Sequence, residues 1–199
     1  MKQRPILFSG AMVRAILEGR KTQTRRVIRG PEKYSRIHEC GFCCPHGVTG
    51  DRLWVREQFS GTYAWNAIPP SGWGWDNTEV PIWYWADGNP PDGDWTRPKP
   101  SIHMPRRYSR ITLEITDVRV QRLQDISEDD ARAEGVIVGD ELQRAEDEAT
   151  RRRGWIPAAR WILSAREPFS ELWDSINAER APWNSNPWVW AISFKRIDA

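Results

Sequence analysis

Residues 19–28 read Gly19-Arg20-Lys21-Thr22-Gln23-Thr24-Arg25-Arg26-Val27-Ile28, and the preference of the chain changes within them. Before Gly19, Val13, Ile16 and Leu17 recur at helical spacing behind Ser9, a good N-cap, and Gly19 supplies the stop of a short, one-faced helix. After it, threonines and β-branched residues predict a turn running into a strand. The charge is concentrated at the same place. Residues 1–36 hold ten Lys/Arg against Glu18 and Glu32, a surplus of eight.

Working outward, Gly50-Asp51 is a turn, and Leu53 and Val55 alternate with Arg52, Trp54 and Arg56 as a half-buried strand does. Residues 61–100 differ in kind: Pro, Gly and Asp/Asn punctuate Trp65, Trp73, Trp75, Trp83, Trp85 and Trp95, which predicts a long loop with one hairpin at Ile82–Trp85. Ile111, Leu113 and Ile115 alternate as in a central strand, and Val118 and Val120 resume on the other parity, implying a bulge or bend near Asp117. Ser127 followed by Glu128, Asp129 and Asp130 starts a helix that Gly135 closes, placing Glu134 in its last turn. Residues 140–153 are polar nearly all round. Phe169, Leu172, Trp173 and Ile176 form the best amphipathic helix, and residues 187–194 read as an interior strand apolar on both faces. Strands without regular crossovers predict an α+β fold, a small mixed barrel with helices packed outside, rather than a doubly wound sheet.

The 199 residues are enough for one domain with decorations, taken as residues 1–199 with insertions at about 61–100 and 140–166. With 39% apolar and 28% charged residues the chain can bury a core without disulfides, which excludes disordered and mini-protein classes. A net charge of +2 is too small for a generic nucleic-acid coat. The apolar N-terminal stretch is broken by Ser9, Gly10 and Arg14, so neither a signal nor a membrane span is expected, and a cytoplasmic location is. Cys40, Cys43, Cys44 and His46 have spacings that can place soft ligands around a structural zinc ion, though a second ligand pair elsewhere is missing; small, partly buried side chains are the alternative reading. No cofactor is expected for catalysis.

The Gly-x-Lys of Gly19–Lys21 with Arg25-Arg26 behind it, placed between the first helix and a strand, resembles the ASCH domain signature. Gly50-Asp51-x-Leu53-x-Val55 is similar to that family's second strand, and residues 188–195 to its closing strand. The order GDRLWVRE, PSIHMPR, RITLEITDVRVQRLQDISEDDARAEGV, FSELWDSIN and NPWVW resembles a phage and prophage group of the same superfamily. The resemblance implies a PUA-like β-barrel associated with RNA and modified nucleosides. One branch of the family removes acetyl from N4-acetylcytidine with a Lys, a Thr three residues later and a distant Glu, and another has been linked to RNA cleavage. Lys21 and Thr24 match the first two positions, and Glu134 matches the third through its flanking helix. The family's Glu before the final Arg is absent here, and the chain is longer than the family minimum.

Amide hydrolysis needs a nucleophile, a base and a donor for the leaving amine, roles that Thr24, Lys21 and Glu134 can fill. Lys21 acts as a base only if its pKa falls from about 10.4, through burial or cationic neighbours such as Arg20, Arg25 and Arg26. In a regular strand residues 21 and 24 point to opposite faces, so they converge only if the chain turns between them. The alternative use of the same residues is phosphate binding in a non-catalytic RNA- or nucleotide-binding module; a ribonuclease built on Lys21, Arg26 and Glu57 is a third. Arg20, Arg26, Trp54, Arg56, Glu57, His103 and Arg106 are the expected substrate and phosphate contacts, with Glu57 alternatively in a structural ion pair. The 13 tryptophans exceed what a core needs; those of the loop either stack bases or form a mini-core that pins it. The expected partner is a modified nucleoside or RNA, with no membrane.

Overall fold

The structure, a computed structural model, describes residues 1–28, 44–75, 79–137 and 164–197. Its elements are β1 (Gln3–Leu7), α1 (Gly10–Leu17), β2 (Gln23–Val27), β3 (Arg52–Arg56), β4 (Phe59–Gly61), β5 (Ile82–Tyr84), β6 (Thr112–Arg122), α2 (Glu128–Ala133), α3 (Arg166–Asn177) and β7 (Trp188–Ile197). They form two compact units, and the long strands β6 and β7 contribute residues to both. The class is α+β, with parallel and antiparallel neighbours in the sheet. No helix of the described residues is long and apolar enough to cross a membrane.

The first unit comprises Met1–Gly19, Phe42–Val118 and Phe194–Ala199. Its strand order is β1-β3-β6. β1 runs parallel to β3 with Ile6 opposite Val55, and β3 antiparallel to β6 with Leu53 opposite Leu113. The period of two puts Ile6, Leu53, Val55, Leu113 and Ile115 on the buried face. β1 escapes the sequence pattern because it is an edge strand with Pro5 in it, a position where a missing N–H costs no ladder bond. β6 is one unbroken strand, and the change of parity falls on two consecutive exposed residues, Thr116 and Asp117.

The tryptophan-rich stretch has its own scaffold within this unit. β5 pairs with β4, Gly61 opposite Ile82 and Phe59 opposite Tyr84, so the strand expected at residues 82–85 finds its partner before the loop rather than in a local hairpin. Trp73 is fully buried with Phe59, Val80 and Met104, flanked by Trp65, Ile68, Ile82, Tyr84 and Tyr108. Trp73 lies edge-on to Phe59 at 5.6 Å and donates its indole N–H to Ile68 O at 2.8 Å. Trp73 and Trp65 therefore serve a mini-core.

The second unit comprises Arg20–Gly41 and Arg119–Ser193. β2 is antiparallel to β7, with Thr24 opposite Ile192 and Arg26 opposite Trp190. Ser127 caps α2 by accepting the Asp130 N–H, three acidic residues follow in the first turn, and Gly135 continues past the helix end at φ +87°. Phe169 and Trp173 of α3 pack with Leu123, Ile126, Ala131 and Val189, while Ile176 remains 54% exposed, so the apolar stripe is one turn shorter than its sequence period.

Candidate active site

Gly19, at φ +78°, turns the chain out of α1, and Lys21 then pairs across an isolated antiparallel bridge with Glu134, the C-cap residue of α2. The backbone closes the junction further: Thr22 N–H donates to Ala133 O at 2.8 Å. The bridge sets two side chains 113 residues apart against each other. Lys21 is 2% exposed, and its ammonium donates to Gln23 O, Glu134 O and Glu134 Oε2, each at 2.8 Å. An ammonium has three protons, and all three have acceptors here.

β2 alternates, so Gln23 and Arg25 share one face. Arg25 is fully buried at its side chain and grips two acids, one in α2 and one at its C-cap: its guanidinium donates to Glu134 Oε1 at 3.0 Å and to Asp130 Oδ2 at 2.9 Å, with Gln23 Oε1 a third acceptor. Asp130 and Glu134 stand four apart on α2, hence on one helix face. Asp130 also accepts from Gln23 Nε2 at 3.0 Å and from Arg119 at 3.2 Å, and Gln23 donates to Ser193 Oγ at 3.1 Å. The Phe169 ring lies under the Arg25 guanidinium at 5.7 Å.

Burial pushes the Lys21 ammonium below its ordinary value; Glu134 opposes this, and Arg26 and Arg25 add to the lowering. Burial alone would raise Asp130, but the Gln23 hydrogen bond and the charges of Arg25 and Arg119 outweigh it and hold the carboxyl low. Glu134 is thus shared between an amine that can lose a proton and a guanidinium that cannot. Such a pair can pass a proton along the Nζ–Oε2 contact. Thr24, buried and paired with Ile192, belongs to the opposite parity from Gln23 and Arg25, and its hydroxyl takes part in no hydrogen bond among the described residues. Arg20 donates to Gly135 O at 3.0 Å, tying the turn to the end of α2.

The other sequence-derived contacts belong to the first unit. Glu57, 1% exposed, forms a two-pronged pair with Arg110, both bonds at 2.9 Å; Arg110 also grips Asp87 at 2.6 and 2.8 Å and lies 4.1 Å over Tyr84. The partner of Glu57 is therefore Arg110, and the structural ion pair is the arrangement found. Burial nonetheless draws the Glu57 carboxyl upward against the pull of Arg110. Trp54 is 8% exposed beneath the Arg56 guanidinium, 4.6 Å from the ring centre. His103 is exposed in the turn Ser101–His103. Arg106 donates to Thr112 Oγ1 at 3.2 Å. Cys40 and Cys43 lie outside the described residues; Cys44 is buried, which raises its thiol, and among the described residues no three His, Cys, Asp or Glu side chains group as metal ligands.

Gln23, Asp130 and Ser193 were not singled out from the sequence as site residues, and Arg25 only as a cationic neighbour of Lys21. The available signal was the shared parity of residues 21, 23 and 25 together with the i, i+4 spacing of Asp130 and Glu134.

No family model and no curated protein matches the chain. Among solved structures it is similar to an ASCH domain from Lactobacillus crispatus JV V101, with 14% identity and a TM-score of 0.42, covering 98% of this chain and 79% of that one. It is also similar to a protein from Enterococcus faecalis V583 described under the family DUF984, with 12% identity and a TM-score of 0.40, covering 100% and 81% of the two chains.

Proposed function

We propose that the chain hydrolyses the N4-acyl amide of an acylated cytidine, free or within RNA, with Thr24 as nucleophile, Lys21 as base and Glu134 as donor to the leaving nitrogen. The observation that carries this is the 2.8 Å contact between Lys21 Nζ and Glu134 Oε2, two residues that the resemblance to the ASCH amidohydrolase branch singles out. Phosphate binding by Lys21 is the weaker use of the same residue, since the ammonium is buried and its three protons are already placed.

The proton inventory runs through that contact. Lys21 first passes a proton to Glu134 Oε2, a transfer that burial of the ammonium favours. The neutral amine takes the hydroxyl proton of Thr24 as Oγ1 bonds to the acyl carbon, and Glu134 gives its proton to N4 as the C–N bond breaks. A water molecule then repeats the sequence on the threonine ester and frees the acid. Thr24 lies on the parity opposite Gln23 and Arg25, so this cycle requires its side chain to reach Nζ across the irregular Thr22 link; no hydrogen bond among the described residues holds its hydroxyl.

The test is release of cytidine from N4-acetylcytidine, followed by chromatography. Turnover by the wild type, lost in Thr24→Ala and Lys21→Ala with folding retained, is the expected result. A folded wild type that binds the nucleoside in calorimetry and leaves it intact overturns the hydrolase and establishes a binding module.

A further inference from the structure

The side chains that hold Glu134 form a closed ring beside it. Gln23 Oε1 accepts from Arg25, Gln23 Nε2 donates to Asp130 Oδ1 at 3.0 Å, and Arg25 Nη2 donates to Asp130 Oδ2 at 2.9 Å. The Gln23 amide fits this ring in one orientation only, because a guanidinium offers donors alone and a carboxylate acceptors alone. Ser193 Oγ, accepting from the same Nε2 at 3.1 Å, fixes it from β7. With Gln23 pinned, Arg25 Nη1 is aimed at Glu134 Oε1 at 3.0 Å, and Oε2 faces Lys21 Nζ at 2.8 Å. The two oxygens of one carboxylate thus have unlike neighbours, a permanent cation on one and an exchangeable proton on the other.

Asp130 balances the cluster. Lys21 and Arg25 are its two cations, Glu134 and Asp130 its two anions, and the side chains of both cations are fully buried. A proton that moves from Nζ to Oε2 makes Lys21 and Glu134 neutral together and leaves Arg25 opposite Asp130, so no buried charge is stranded. Without Asp130 the same step would leave the guanidinium uncompensated, which burial penalises. The other charges that face this group are Arg26 of β2, which acts on both Lys21 and Glu134, and the half-exposed Arg119 of β6, which donates to Asp130 at 3.2 Å. Among the described residues Phe169 of α3 and Ser193 of β7 meet it without charge.

We infer that Arg25 and Asp130 are positioning residues for proton exchange between Lys21 and Glu134: Arg25 occupies Oε1 so that the proton arrives at and leaves from Oε2, and Asp130 compensates Arg25 while Glu134 is neutral. The use of that proton rests on the proposed hydrolysis; its movement rests on the contacts alone.

The experiment follows the Lys21 side chain by NMR in protein carrying 13C at the lysine Cε, its signal identified by its loss in Lys21→Arg, from about pH 6 up to alkaline unfolding. Burial already brings the ammonium below its ordinary value, which puts the titration within reach. Asp130→Asn removes an anion and moves the titration down by about 1 pH unit, and Arg25→Gln removes a cation and moves it up by about as much, the low end for a charged neighbour. Arg25→Lys keeps the charge and titrates near the wild type. Opposite shifts from two variants that break the same ring separate tuning from damage to the fold, since damage has no sign in charge; thermal melting of each chain runs beside them. With N4-acetylcytidine as substrate, the pH profile of kcat moves with each titration while KM is kept. Where Arg25→Gln fails to fold, a downward shift in Asp130→Asn and none in Arg25→Lys supports the inference. Opposite shifts in a chain that leaves N4-acetylcytidine intact also support it and remove only the proposed activity. Turnover by a chain whose Lys21 titration is unmoved by Asp130→Asn overturns the inference and keeps the activity. Shifts of one sign in both variants, or a Lys21 that stays an ammonium up to unfolding in every chain, overturn it as well.

Discussion

Replacing Glu134 with glutamine leaves the Lys21 ammonium and the Arg25 guanidinium, both with fully buried side chains, facing a neutral amide where a carboxylate stood. Arg25 keeps Asp130, whereas Lys21 keeps the carbonyls of Gln23 and residue 134 and loses its carboxylate. Removing one partner of a buried pair typically costs about 3–5 kcal/mol because the remaining charge is uncompensated. For a chain of this length a kcal/mol moves the melting temperature by about 2–4 °C, so a drop of about 6–20 °C is expected at pH 7. Lys21 can relieve the strain by losing its proton, and this gives the variant a pH signature. Burial already lowers the folded-state value, and without Glu134 the opposing effect is gone. The unfolded chain then holds the extra proton between the lowered value and about 10.4, so the stability of the variant climbs as pH rises through that window. The assay is thermal unfolding of Glu134→Gln between pH 7 and 10, beside Lys21→Met/Glu134→Gln, which removes the stranded charge and recovers part of the loss with no rising limb. A single variant that melts within about 2 °C of the wild type at every pH would refute the buried charged pair.

Three further outcomes follow from the same contacts. Arg110→Gln strands Glu57 and costs about 3 kcal/mol at pH 7, the low end for a broken buried pair because Arg110 is about a quarter exposed. Since burial raises the Glu57 carboxyl in the folded state, that loss shrinks as pH falls toward 4.5 and the folded state takes up the proton before the unfolded chain does, which urea unfolding at pH 7 and pH 4.5 measures; an equal loss at both refutes it. Gly61→Ala would set a Cβ 2.5 Å from Trp73, whose ring is wedged in the mini-core, and about 1–3 kcal/mol is expected with a changed near-ultraviolet tryptophan spectrum. Thr24→Ala loses hydrolysis while melting within about 2 °C of the wild type, because the hydroxyl holds no hydrogen bond among the described residues; activity retained by this variant would remove Thr24 as nucleophile.

Elements whose order is local were legible in the residues. Ser127 and Gly135 bracket α2 through cap chemistry, and Leu53 and Val55 mark β3 through a period of two. The edge strand β1 was not, because Pro5 sits in the middle of five residues with no alternation of their own, which become a strand only where β3 offers one edge. The tryptophan-rich stretch showed its composition but not its partner: Ile82 and Tyr84 pair with residues more than twenty positions earlier, a choice made by the packing of Trp73 and Phe59.

At the candidate site the division is sharper. Which chemical groups cluster around Gly19–Ile28, and that Glu134 ends a short helix, could be read from neighbouring residues, because turns, caps and charge density are local properties. Tertiary structure decided that Lys21 meets Glu134, that Arg25 holds Glu134 and Asp130 together, and that Glu57 belongs to Arg110. Those choices depend on which strand and which helix end come face to face across more than fifty residues, and a buried charge takes the partner that the fold brings within hydrogen-bond reach.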